Sequence, residues 1–197
     1  MALLHSLPLP LGSPMIDFSL PDPFGKIHSS SDYADRKVLV VIFMCNHCPY
    51  IQAVQERLIA LQEFFSPTEV QFIGINSNDF TRYPDDSPEA MKKTIAEWGI
   101  NFPYLIDEEQ SVAKAYQAQC TPDIYVFSKT QAPNEATTYH LQPTAFSLAY
   151  HGRIDDNWKD PQAVTKQELK EAIESLLKNE KPPEDQKSSM GCSIKWK

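Results

Sequence analysis

Basic residues are in short supply in this chain. Lysines and arginines number 18 against 26 aspartates and glutamates, a formal charge of -8, and no Lys/Arg cluster breaks that balance. The electrostatic footprint of a nucleic-acid binder, or of a protein that adheres to anionic membranes, is therefore missing. Long apolar runs are missing too: the longest, Val38 to Met44, falls far short of the roughly 20 residues that span a bilayer. Met1 to Pro14 contains leucines, but Pro8, Pro10 and Pro14 interrupt it, and it lacks the basic region and small-residue cleavage site of a signal peptide. A cytoplasmic protein is expected, with neither nucleic acid nor membrane as partner. Cysteine is scarce, four in 197 residues. A chain of this length removes roughly 70% of its unfolded surface from water and needs no disulfide or metal staple. In a reducing cytosol a close pair of cysteines is then catalytic, redox-sensing or metal-binding rather than structural.

The patterning points to an α/β domain. Phe18 to Leu20 and Lys26 to Ser29 flank a Pro/Gly turn, which predicts an N-terminal β-hairpin. Lys37 to Met44 is continuously apolar and β-branched, as in a strand covered on both faces. From Pro49 to Phe65 apolar residues recur at Ile51, Val54, Leu58, Leu61 and Phe65, the spacing of one helical face. Val70 to Ile75 is a second buried strand, so a right-handed βαβ crossover is expected. Ser87 as cap and Pro88 at the first position open a helix through Trp98, and Gly99 stops it. Shorter elements follow: a strand at Tyr104 to Ile106, helical turns at Ser111 to Gln117, and strands at Ile124 to Phe127 and Ala149 to Ile154. Between those last two, Ser128 to Ser147 is polar and contains Pro133 and Pro143, which reads as an insertion. Leu169, Ile173, Leu176 and Leu177 mark a closing helix within Thr165 to Leu177. Residues 1–177 form one domain in this reading, and 178–197 form a tail ending in Gly-Cys-Ser-Ile-Lys-Trp-Lys.

The chemistry concentrates at Cys45-Asn46-His47-Cys48. A Cys-x-x-Cys between a buried strand and a helix puts Cys45 at the helix amino terminus, where free N–H groups and the helix dipole favour a thiolate. Cys45 is then the expected nucleophile and Cys48, one turn on, the resolving thiol of a dithiol exchange. His47, partly protonated, would further stabilise the Cys45 thiolate. The competing zinc half-site, completed by His47 or Cys120, finds no second Cys-x-x-Cys or His-x-x-x-His to supply four ligands, so neither metal nor organic cofactor is expected. His5, His28, His140 and His151 have no ligand spacing and are expected at the surface or in loops.

These residues resemble the thioredoxin-like superfamily, and within it the peroxiredoxin-like branch related to alkyl hydroperoxide reductase and thiol-specific antioxidant. The resemblance is carried by Cys45 to Tyr50, Ile75 to Asp79, Tyr83-Pro84, Asp86 to Glu89, Cys120 to Asp123, Gly152 to Asp156 and Gly191 to Trp196. It implies a central mixed sheet with helices on both faces. It also implies a cis peptide before Pro122, with Thr121 facing the cysteine pair and the Thr121-Pro122 backbone aligning a substrate chain. The sequence departs from both parent patterns. Met44 stands where thioredoxins have an aromatic, Val38 to Met44 contains no carboxylate, and Cys45 fills the Thr or Ser place three residues before a peroxidatic Cys48.

The function expected is thiol-disulfide exchange with a protein or small-molecule disulfide, reduced by a thiol electron donor. The alternatives are peroxiredoxin-like reduction of a hydroperoxide, with Arg153 named by its family segment as the cation for the peroxide, and a redox-regulated binding module without turnover. Asn76 and Asn78, beside Asp79 at the carboxyl end of a strand, fit a site edge and loop capping equally well. Cys120 is expected as a buried apolar thiol. Cys192 either folds back as a third redox thiol or packs with Ile194 and Trp196 against the domain, packing being favoured.

Overall fold

The computed structural model describes residues 3–129 and 146–197. Residues 130–145 of the expected insertion, with Pro133, His140 and Pro143, lie outside the described residues, while its ends, Ser128, Lys129, Phe146 and Ser147, belong to strands. In chain order the strands are β1 (Leu3–His5), β2 (Ser19–Pro21), β3 (Ile27–Ser29), β4 (Val38–Phe43), β5 (Val70–Asn76), β6 (Tyr104–Ile106), β7 (Cys120–Thr121), β8 (Asp123–Lys129), β9 (Phe146–His151) and β10 (Met190–Ser193). The helices are α1 (Pro49–Phe65), α2 (Pro88–Trp98), α3 (Ser111–Ala115) and α4 (Glu168–Leu177).

Every side chain of β4 is buried, which fits its place at the centre of a five-stranded sheet ordered β6-β5-β4-β8-β9. β4, β5 and β6 run parallel, β8 and β9 antiparallel to their neighbours, so the sheet is mixed. Alternation along β4 divides the core. Val38, Val40 and Ile42 face a cluster with α1, α2 and α4, while Leu39, Val41 and Phe43 face α3 and the β2–β3 hairpin. The expected layers are present, with the second covered mainly by a short helix and a hairpin.

α1 starts and ends where the apolar period puts it. In α2 the Ser87 side chain accepts from Ala90 N, and Gly99 closes the helix at φ 69, the left-handed conformation that glycine adopts without penalty. The last strand of the central sheet lies three residues earlier than expected, at Phe146–His151. The strand ends at His151; the Gly152 amide still reaches Ile124 O of β8, and that of Arg153 turns away to Lys187 O. The histidines also differ from expectation. His28 is buried against Tyr33 and Asp22, and His151 is buried with Nε2 2.8 Å from Asp123 Oδ1.

The end of the chain does more than trail from α4. β10 lies between β1 and β7 in a separate three-stranded antiparallel sheet. Its partner β7 leads directly into Pro122 and β8, so this small sheet stands against the carboxyl end of β4, where the Cys-x-x-Cys segment begins.

Candidate active site

The Cys45 to Cys48 loop is held through Asn46, by its backbone and its side chain alike. Asn46 N donates to Asp86 Oδ1 (2.8 Å), Asn46 Nδ2 to Asp85 O (2.7 Å), Tyr104 Oη to Asn46 Oδ1 (3.1 Å) and Gln52 Nε2 to Asn46 O (3.0 Å). The helix that follows starts at Pro49, so its N-cap residue is Cys48, not Cys45. This corrects the expectation for the thiols: the helix opens at Pro49, where the apolar period puts it, and the sulfur at the dipole's positive end belongs to the second cysteine.

Both thiols are buried, at 1% and 0% exposure for Cys45 and Cys48, and all four cysteines are unbridged. Their surroundings differ in sign. The Cys45 thiol is pushed well up by its hydrogen bond to Cys48, by burial and by the nearby Asp86 charge. Cys48 is brought down to about 5 by the Cys45 hydrogen bond, which together with the Thr121 side chain and the N–H groups of Ile51 and Cys192 outweighs burial. Hydrogen bonds to the charged form favour that form. In its protonated state Cys48 Sγ donates to Thr121 O at 3.0 Å, and Thr121 Oγ1 lies 3.5 Å from Cys45 Sγ. The Thr121-Pro122 peptide is cis, as the family resemblance implies, and Thr121 meets both sulfurs.

His47 is brought to a carboxylate rather than to a sulfur. Its Nδ1 lies 2.7 Å from Asp86 Oδ2, its ring stacks on Tyr83 at 5.7 Å, and Asp86 raises its pKa against the effect of burial. Asp86 opposes its own desolvation with the His47 pair, the Asn78 amide and the Asn46 N–H, and its carboxyl stays below the ordinary range. Asn78 therefore belongs to the site: its Nδ2 donates to Asp86 Oδ2 at 2.7 Å. Asn76 supports it, with Oδ1 accepting from Asn78 N (3.1 Å) and Nδ2 donating to Asp86 O (3.5 Å). Sequence reasoning missed Asp86 as a chemical group. The only signal was its place beside the Ser87 helix cap, far in sequence from its partner His47.

Arg153 is not brought to the sulfurs. Its guanidinium bonds to Glu168 Oε1 through Nε (2.9 Å) and an Nη (2.6 Å). It lines a cleft of about 320 Å³ beside Pro122, together with Tyr50, Trp158 and Met190. Cys120 is buried, donates to Pro122 O at 3.4 Å, and is held protonated by burial and the neighbouring Asp123 charge. Cys192 is close to Cys48: its thiol is raised to about 11 by burial and by a hydrogen bond to Cys48. Cys45, His47 and Asp86 bring three donor atoms within 4.8 Å of one another, close enough for a metal ion. Cys48 and Cys120, which the sequence offered as ligands, are not among these three.

The fold and this dithiol define a thioredoxin-like oxidoreductase. The model of the AhpC/TSA family matches residues 11–139, and the chain belongs to that family. An uncharacterized conserved protein from Geobacillus kaustophilus is similar over 100% of this chain and 97% of its own, at 40% identity and a TM-score of 0.87. A hypothetical protein from Sinorhizobium meliloti 1021 is similar over 98% of both chains, at 32% identity and a TM-score of 0.86. A thiol:disulfide interchange protein of the thioredoxin family from Chlorobium tepidum TLS shares the fold at 17% identity and a TM-score of 0.52, over 64% of this chain and 88% of its own. No curated protein matches the chain. Among the described residues no helix is long and apolar enough to cross a membrane.

Proposed function

We propose that the protein catalyses thiol-disulfide exchange, with Cys48 as attacking thiolate and Cys45 as resolving thiol. The supporting observation is the arrangement of both sulfurs against Thr121, next to the cis peptide before Pro122. The roles are the reverse of those expected from spacing, because Cys48 stands at the start of α1 and Asp86 opposes ionisation of Cys45. Cys48 attacks one sulfur of a substrate disulfide, the other substrate sulfur leaves as a thiolate and is protonated, and Cys48 holds the mixed disulfide. Cys45 then loses its proton, attacks Cys48 Sγ and releases the second substrate thiol. Charged His47 offsets the Asp86 carboxylate, which would otherwise press harder on the Cys45 thiolate formed in that step.

The substrate is a disulfide of a protein or small molecule, and a thiol donor returns the Cys45–Cys48 bridge to the dithiol. A reducing cytosol suits a pair that works from the dithiol state. The test is a pair of serine variants with oxidised glutathione. Cys48→Ser should react no faster than background, and Cys45→Ser should still take up one glutathione on Cys48. Full exchange in Cys48→Ser, with a silent Cys45→Ser, would reverse the roles again.

A second reading, reduction of a hydroperoxide, is favoured by the burial of a Cys48 thiolate that a small oxidant reaches more readily than a protein does. It requires a cation to hold the peroxide, and Arg153 is engaged by Glu168. Stopped-flow oxidation of the reduced protein by hydrogen peroxide separates the two: closure of Cys45 to Cys48 much faster than for a free thiolate would put the peroxidase first.

A further inference from the structure

The edge of β7 beside the dithiol is occupied by the chain's own β10. The two strands run antiparallel, with Cys192 opposite Thr121 and Ser193 opposite Cys120. Thr121 is the residue that meets both active-site sulfurs, so β10 lies where an extended substrate chain would pair. The fit is close. A Cβ on Gly191 would overlap the Thr121 carbonyl, so only glycine permits this approach.

The strand is also anchored beyond its end. Lys195 N donates to Asn78 Oδ1 (2.8 Å), and Lys195 O accepts from Asp79 N (2.8 Å) and Gln110 Nε2 (2.8 Å). Asn78 holds Asp86 through its amide nitrogen, so one side chain ties this segment to the dithiol's carboxylate. In this register the N–H of Cys192 faces Cys48, and the two thiols are hydrogen-bonded.

We propose that residues 190–195 form a built-in substrate strand and that Cys192 is a third redox thiol, which forms a disulfide with Cys48 during turnover. The proposal rests on Cys48 being the attacking thiol. After Cys48 attacks a disulfide, two thiols face the mixed disulfide, Cys45 from its own loop and Cys192 from β10. Cys192 loses its proton and attacks Cys48 Sγ; the bond from Cys48 to the substrate sulfur breaks, and the substrate leaves as a thiolate that takes up a proton. The sum is one substrate disulfide reduced to two thiols and two protein thiols oxidised to one bridge, the same two electrons that a Cys45–Cys48 bridge stores. A later attack of Cys45 on Cys48 moves the bridge to Cys45–Cys48 and frees Cys192 with no change in electron count.

The order of events assists the step. Besides burial, the Cys192 thiol is kept protonated by its hydrogen bond to Cys48 and by the Cys48 charge. Formation of the mixed disulfide removes that charge, so Cys192 ionises more readily when its thiolate is needed.

The experiment follows the full-length Cys45→Ser variant, reduced and then mixed with oxidised glutathione, by intact mass and peptide mapping. The expected result is a glutathione adduct on Cys48 that decays as a Cys48–Cys192 peptide pair appears. In Cys45→Ser/Cys192→Ser the adduct should persist at least about tenfold longer. A stable adduct in the single variant, with Cys192 still free to be alkylated and the circular dichroism unchanged, overturns the inference and leaves the exchange function intact. Failure of Cys48 to take up glutathione in either variant overturns both. If Cys45→Ser does not fold, Cys45→Ala takes its place, and mapping of the wild-type protein in glutathione buffers must still find a Cys48–Cys192 fraction for the inference to stand.

Discussion

Between the two active-site sulfurs the sign of the surroundings changes over one turn of chain. Amide N–H groups and a thiol face Cys48, whereas the Asp86 carboxylate acts on Cys45. In the reduced protein, alkylation of Cys48 by iodoacetamide should therefore fall off only below pH of about 5, where its thiolate is lost. Cys45 should stay unlabelled until the medium is strongly alkaline, and peptide mapping across pH reads both. Asp86→Asn should lower the His47 pKa, seen in its NMR titration. Losing a charged acceptor for the Asn46 and Asn78 donors should cost about 1–3 kcal/mol in urea unfolding. A smaller part, discounted because the His47 side chain is partly exposed, depends on pH. The pair raises the folded-state pKa of His47, so its contribution is full below the unfolded value and vanishes as pH rises through the folded one. The loss in Asp86→Asn should accordingly shrink at alkaline pH. The cysteines and His47 were legible in the sequence because Cys-x-x-Cys is local. Asp86 was not, because its role depends on a meeting of distant loops, and the order of the thiols turned on which sulfur caps α1 and which one feels that carboxylate.

At the scale of elements, legibility followed length and periodicity. α1, with 17 residues and one apolar face, and β4, apolar throughout, stand where the pattern put them. β1 and β10 have three and four residues, no alternation to announce them, and exist because each supplies the other's hydrogen bonds beside β7. The last strand was misread because Ala149 to Ile154 looks extended, while the chain leaves the sheet after Gly152 and the Arg153 amide bonds to Lys187 O. α1 is also fastened to the loop after β9. Arg57 pairs with Asp155 and donates to Asn157 O (2.9 Å) and Trp158 O (2.7 Å), and Trp158 packs on Tyr50 with ring centres 4.3 Å apart. Arg57→Ala leaves a buried carboxylate and two carbonyls without their donor, and should destabilise the protein by about 2–4 kcal/mol. Urea denaturation measures it; a change within about 0.5 kcal/mol, the usual scale for surface substitutions, would mean that the loop is held by its aromatic contact alone.

Across the molecule the two sheets differ in how they are secured. The central sheet has a core on both faces, whereas the small sheet of β1, β10 and β7 is short, with its outer strand β1 showing two of three residues exposed. Local opening draws on segments with the fewest buried contacts. Amide exchange should be fastest in β1, intermediate in β10, and slowest in β4 and β8. Equal protection across both sheets would mean that the dithiol is uncovered only by global unfolding. The small sheet has a practical consequence for anyone who handles the protein. Leu3 pairs with Cys192, and His5 with Met190, so β1 flanks the strand that pairs with Thr121 beside Cys45 and Cys48. A tag or label joined to β1 or β10 therefore sits close to the Cys45–Cys48 pair, and thiol reactivity measured with and without it should be compared before either is taken as the protein's own.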